Sequence, residues 1–353
     1  MLRTLAHDTI IFDWTKLIPK SALRCLPAIA IPLIVGISTG HPRYGLMAAA
    51  GAFTVGFGTF QELRGSRTAP LWAAAIGMCV SSWIGSVAGH SNLSIILISA
   101  LWGFLYGTVW NLSPSIAWTA LQCVIWLVIS TAYPQNGLQA LERGTFMLLG
   151  GLLQIAIILI VRRVTGKMNP VLGGSGTPEE YAIVSHALGA DHGMRLQAFR
   201  AAIVLAVSAA AYRYLALPNG YWIPMTAAIV MRPTFVQTFQ RGLARILGTL
   251  AGAVVATVIA SLLRPQPWIL VTLVLFFVWA CFMVIFVNYA LFAICLTAYV
   301  VFVLALAGLP ETGLIAQRTI NTLLGGGIAW IVHTAFAPLE LFQERMSLSR
   351  SAQ

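Results

Sequence analysis

"YWIPMTAAIVMRPTFVQTFQRGLARILGTLAGAV", Tyr221 to Val254, sets two stretches apolar enough for lipid around three arginines, Arg232, Arg241 and Arg245. Only 9% of the residues in this chain are charged, so three cations between membrane-grade segments need a reason. They can hold a cytoplasmic loop on its side of a bilayer, or they can line a site for anions. The rest of the chain fixes the class of protein. Of its 353 residues 59% are hydrophobic, whereas ordinary soluble domains are about a quarter charged and carry less apolar mass. Such a chain cannot hide its apolar surface in water. The sequence therefore predicts an all-α polytopic membrane protein.

Breaks at Pro, Gly and charged positions leave twelve apolar segments. They run 24–39, 44–60, 70–89, 93–110, 115–133 and 143–161, then 200–217, 221–235, 243–263, 268–286, 289–309 and 314–336. Segments 24–39 and 221–235 are shorter than the roughly 20 residues that cross hydrocarbon, and Pro27, Pro32 and Pro224 predict bends there. In residues 1–23, Leu2, Leu5, Ile10, Trp14 and Ile18 recur at helical spacing, which predicts an amphipathic helix on the membrane surface. Asp8, Asp13, Lys16 and Lys20 in the same stretch argue against a cleavable signal. Residues 24–163 and 198–338 then form two six-helix halves, 164–197 a polar cytoplasmic linker and 339–353 a cytoplasmic tail.

The halves read as a repeat. "RGTFMLLGG" at Arg143–Gly151 answers "RTINTLLGG" at Arg318–Gly326, an offset of 175 residues. Arg24 and Arg200 open the halves and Pro42 and Pro218 follow, each pair offset by 176. Six spans per half make the repeats parallel. With the N-terminus inside, 16 of the 21 lysines and arginines fall on the cytoplasmic side; Arg43, Arg143, Arg213, Arg264 and Arg318 fall outside. That bias predicts a multi-pass protein of the cell inner membrane with both termini cytoplasmic.

Four arginines are each followed seven residues later by glycine: Arg143/Gly150, Arg241/Gly248, Arg245/Gly252 and Arg318/Gly325. Seven residues is about two helical turns, so each pair shares a face. Glycine admits a neighbouring helix, which turns that face toward the bundle interior. An inward arginine needs water, a carboxylate or an anion, and its planar fork suits carboxylates. The acids near span ends are Glu62, Glu142 and Glu311, too few for four arginines, so an anion path is expected from Arg241/Arg245 inside to Arg143/Arg318 outside. Topology alone accounts for Arg232, Arg241 and Arg245 as well as a site does. It accounts poorly for Arg143 and Arg318, which sit on the disfavoured side.

His333 lies within the last span where the first half has Ile158. His333 and Glu62 are the candidates for a proton relay, weighed against an ordinary interfacial histidine. Trp102, Trp110, Trp118 and Trp126 recur every eight residues and suit lipid contact or a cavity for flat ligands. Five scattered cysteines, with no CxxC pair, give neither a disulfide framework nor a metal site. No cofactor is expected. The net charge of +11 is explained by cytoplasmic loops without nucleic acid.

The opening stretch resembles the signature of the fusaric acid resistance-like membrane transporter family. That pattern has an aromatic pair before an apolar span, a loop, then R-x-x-x-R-x-x-G-T-x-x-G. Here it is carried by Tyr221, Trp222, Arg241, Arg245, Gly248, Thr249 and Gly252, with Arg318 to Gly325 fitting the closing span. The resemblance covers residues 195–338. The first half follows more loosely, since "QELRGSRTAPLWAAAIG" keeps Arg64, Arg67 and Gly77 but lacks the Gly-Thr pair. The resemblance implies efflux of organic anions, aromatic or hydrophobic carboxylates, in agreement with the charge argument, and the candidate substrate-binding residues are Arg241, Arg245, Arg143, Arg318, Arg232 and Trp222. Gly248, Gly252, Gly150 and Gly325 are expected to pack helices. The expected partners are a small organic anion and membrane lipids, with a homodimer or a periplasmic adaptor protein as candidate protein contacts. The competing readings are a non-transporting accessory or scaffold protein and a membrane-embedded enzyme, the latter disfavoured because no cluster of Asp, Glu or His marks a membrane face.

Overall fold

The computed structural model describes residues 12–63, 65–110, 112–166, 192–263, 266–308 and 314–351. Among these it has thirteen α-helices and no strand. They are α1 (Pro19–Cys25), α2 (Pro27–Ser38), α3 (Pro42–Gly58), α4 (Ala69–Ala88), α5 (Asn92–Val109), α6 (Pro114–Thr131) and α7 (Gly137–Thr165), then α8 (His192–Tyr214), α9 (Trp222–Val230), α10 (Phe235–Leu263), α11 (Pro267–Val284), α12 (Tyr289–Leu306) and α13 (Leu314–Ser351). The chain is an all-helical, multi-pass membrane protein.

Local chemistry places the starts. Proline opens α1, α2, α3, α6 and α11, where its missing N–H costs nothing. Ser91, Ser113 and Asn288 cap α5, α6 and α12 by accepting from Ser94 N, Ser115 N and Ala290 N, which satisfies donors that the helix cannot. Gly166 ends α7 in the left-handed region, a conformation that glycine adopts without a Cβ penalty.

Eight described helices are long and apolar enough to cross a bilayer: α4, α5, α6, α7, α8, α10, α11 and α12. The segment Trp14–Cys25 and α2, bent by 42°, make a ninth if counted as one span. Among the described residues, eight or nine of the twelve expected apolar segments thus pass as spans, and the short segment 221–235 is one that does not. α9 has nine residues, about 14 Å of helix against a hydrocarbon core of about 30 Å. All nine are buried, so α9 ends inside protein rather than in lipid.

Its broken end is satisfied by side chains. Arg200 on α8 donates to Pro233 O at 2.6 Å and Arg232 O at 3.4 Å. Thr238 Oγ1 accepts from Arg232 N at 3.0 Å. Non-helical backbone at membrane depth is tolerable only where protein meets its polar groups in this way.

The N-terminal segment also departs from the pattern. Residues 1–11 lie outside the described residues, and Trp14–Lys16 is a 3₁₀ turn rather than part of a long helix. Asp13 N and Ile18 N donate to Val287 O and Met283 O, so the segment spends its backbone on the end of α11. Thr15 and Lys16 hydrogen-bond the Asp13 carboxyl and hold it below its ordinary range. The linker expected at 164–197 lies outside the description from 167 to 191, and α8 already begins at His192. The tail expected at 339–353 continues α13 as far as Ser351.

Helix pairings recur in the two halves. α3 packs on α7 as α9 packs on α13; α4 packs on α6 and α7 as α10 packs on α12 and α13. α5 and α6 start 175 residues before α11 and α12. The halves meet where α5 packs on α8 and α11 on α1 and α2. Small residues let these backbones touch: a Cβ added to Gly103 or Gly107 of α5 would lie 2.6 Å from Ala201 O or Ala198 Cα of α8.

Candidate anion site

Between the halves lies a cavity of about 940 Å³. Arg143 from α7, Arg241 and Arg245 from α10, Arg318 from α13 and Trp222 from α9 all line it. Five of the six residues expected to bind substrate thus share one chamber. Arg43 joins them, and among the described residues no aspartate or glutamate lines the wall, Glu311 lying outside them.

The elements that aim these side chains depend on glycine. Arg241 and Arg245 are one turn apart on α10, on one face. Two turns on from each, Gly248 and Gly252 press that face against α12: a Cβ at Gly248 would meet Ala293 Cβ at 2.6 Å, and one at Gly252 would collide with Ile294 O. Gly150 sits against Ala48 O of α3 and Gly325 against Ile223 O of α9. Each close approach pins a helix face inward and carries its arginine with it.

The guanidinium groups find aromatic faces rather than carboxylates. Arg143 lies 4.5 Å from the Tyr133 centroid, Arg318 4.9 Å from that of Trp222 and Arg241 3.3 Å from that of Tyr289. A ring face attracts the cation but leaves edge N–H groups free. Arg245 and Arg318 are each 2% exposed. Nε and Nη1 of Arg245, and all three nitrogens of Arg318, have no hydrogen-bond partner among the described residues. Arg143 Nε, Arg241 Nε and the Tyr289 hydroxyl are buried and unpartnered as well. Arg245 is also near enough to repel both Arg241 and Arg318. Buried donors left open are costly, and an anion in the chamber would relieve that cost.

The other expected residues lie elsewhere. Arg232 is half-buried over the Trp110 ring at 4.8 Å, off the cavity. His333 is buried with Nε2 at 3.1 Å from Arg200 Nη1, and Glu62 pairs with Arg67 at 3.5 Å. Neither relay candidate lines the chamber. The first-half basic pair therefore contributes no open cation there from Arg67; Arg64 lies outside the described residues.

Sequence reasoning missed Arg43, Tyr133 and Tyr289, which no motif marks. Trp118 and Trp126 line the cavity too, while Trp102 Nε1 donates to Ser81 Oγ at 3.1 Å. The eight-residue tryptophan spacing held half of that signal.

Helices, cavity and arginines define a multi-pass membrane protein with a cationic chamber at the contact of two helical halves. Residues 204–332 match the model of the fusaric acid resistance protein-like family. The uncharacterized protein ORF2 of Neisseria gonorrhoeae is 28% identical over 146 residues, 40% of this chain and 34% of that protein. The uncharacterized membrane protein YvaC of Bacillus subtilis (strain 168) is 26% identical over 153 residues, 42% of this chain and 23% of that protein. The match thus spans only about a third and a quarter of these relatives. No solved structure matches the chain.

Proposed function

We propose that the protein is an inner-membrane transporter that exports organic anions, aromatic or hydrophobic carboxylates, along the arginine-lined chamber between its two halves. One observation carries the reading: Arg143, Arg241, Arg245 and Arg318 converge on one chamber with aromatic walls and, among the described residues, no acid. The arginine forks take the carboxylate, and the rings of Trp222, Trp118 and Trp126 take the flat apolar body. With both termini cytoplasmic, anions enter near Arg241 and Arg245 and leave near Arg143 and Arg318. An inside-negative potential drives each charge outward by about 2.3 kcal/mol per 100 mV, so uniport needs no relay through His333 or Glu62.

The test is current across planar bilayers containing purified protein, bathed in a panel of aromatic and aliphatic carboxylates, with Arg241→Ala and Arg318→Ala beside the wild type. Anion-selective current should be present in the wild type and fall at least about tenfold in both variants. Unchanged current in both would reduce the arginines to topology anchors. A silent but folded wild type would favour an electroneutral carrier or a non-transporting accessory.

A further inference from the structure

The chamber presents its open cations at two levels. Gly242 of α10 faces the Trp330 ring of α13, and Gly326 of α13 faces Ile246 of α10. Residue numbers rise on one helix as they fall on the other, so the pair is antiparallel and Arg318 stands level with residue 254. At 1.5 Å per residue the Arg318 backbone lies about 20 Å along the axis from that of Arg241 and about 13 Å from that of Arg245, and the Arg245 side chain spans enough of that interval to repel Arg318.

Arg143 belongs to the Arg318 end. It stacks on Tyr133, whose ring is 6.4 Å from Tyr221, itself 5.6 Å from the Trp222 ring that carries Arg318. The other end consists of Arg241, Arg245 and the unpartnered Tyr289 hydroxyl. Both ends hold an arginine with open, buried N–H groups, and apolar side chains such as Met225, Ile229 and Phe292 line the same chamber. One carboxylate forks one guanidinium; it does not serve both Arg241 and Arg318.

We infer that the preferred cargo is an elongated dianion, with an acid at each end and a flat apolar middle, held by Arg241, Arg245 and Tyr289 at one end and by Arg318 and Arg143 at the other. The inference rests on the anion-transport reading of this chamber and narrows its substrate class. A monoanion leaves one buried cluster of donors open, while a dianion closes both. A molecule with two acids close together reaches only one level, so the distance between the acids decides affinity.

Calorimetry on the full-length protein in lipid nanodiscs tests it with a matched pair, biphenyl-4-carboxylate and biphenyl-4,4′-dicarboxylate. The diacid should bind one per protein, at least about tenfold tighter than the monoacid. Arg318→Gln should erase that advantage, bringing the diacid down to the affinity the same variant shows for the monoacid. If that variant does not fold, Arg318→Lys keeps the charge, removes the fork and should cost most of the advantage. Equal affinity for the two acids, or two monoacids bound per protein without a diacid gain, overturns the dianion inference and leaves anion binding standing. Failure of folded wild type to bind either acid overturns both.

Discussion

Arg245 shows what the chamber costs the fold. Its side chain is 2% exposed with two nitrogens unpartnered, and an ion taken from water without a partner carries a penalty of several kcal/mol. Packing gains nothing from a charge at that position, so its removal should help the fold. Arg245→Met, similar in length and apolar, should raise thermal stability by the equivalent of about 1–3 kcal/mol while abolishing carboxylate current. A melting curve in detergent and a bilayer recording on the same preparation check both halves of that statement. A lower melting temperature would mean that Arg245 holds the bundle together. Arg245 was legible in the sequence through its glycine seven residues on, a pattern that selects inward-facing cations. Its open donors were not legible, because they depend on which groups the other helices fail to supply. Tyr289 was hidden for the same reason: its ring matters only because α12 packs beside α10 and sets it over Arg241.

Helix positions were legible almost throughout, because hydropathy and proline punctuation fix where a lipid-facing helix can start. Two elements defeated that logic. α9 is as apolar as a span, yet nine residues long, and its break is stabilised by Arg200, 32 and 33 residues upstream of the carbonyls it meets, which no local pattern announces. Residues 12–18 have helical spacing but bond to the end of α11 instead, a tertiary contact overriding periodicity. Glycine on α13 separates packing from propensity. At Gly325 a Cβ would run into the Ile223 carbonyl, whereas at Gly327, two residues on, nothing lies within 4 Å. Gly325→Ala should therefore destabilise by about 1–3 kcal/mol and weaken anion binding by shifting Arg318 away from Trp222. Gly327→Ala should be neutral or stabilising by up to about 1 kcal/mol, the ordinary helix preference for alanine. Melting temperatures of the two variants, measured side by side, decide this; equal losses would show that small volume at this level of α13 is not what seats the helix.

At the scale of the whole molecule the proposed direction of transport rests on the charge distribution. α4 crosses the bilayer with Arg64 and Arg67 just before it, and no lysine or arginine then occurs until Arg143. Positive charge tends to stay cytoplasmic, so the proposed orientation predicts Ser66 before α4 inside and His90 after it outside. In a background lacking the five native cysteines, Ser66→Cys in intact cells should resist a membrane-impermeant maleimide until the membrane is opened, and His90→Cys should label at once. That pattern puts the Arg241 end of the chamber on the cytoplasmic side, where an inside-negative potential pushes anions away from the cell interior by about 2.3 kcal/mol per charge per 100 mV. A dianion feels twice that force, so its outward gradient steepens more with potential than a monoanion's. The reversed labelling pattern would place Arg143 and Arg318 at the cytoplasmic end, and export would then enter the chamber from the aromatic-bridged pair instead.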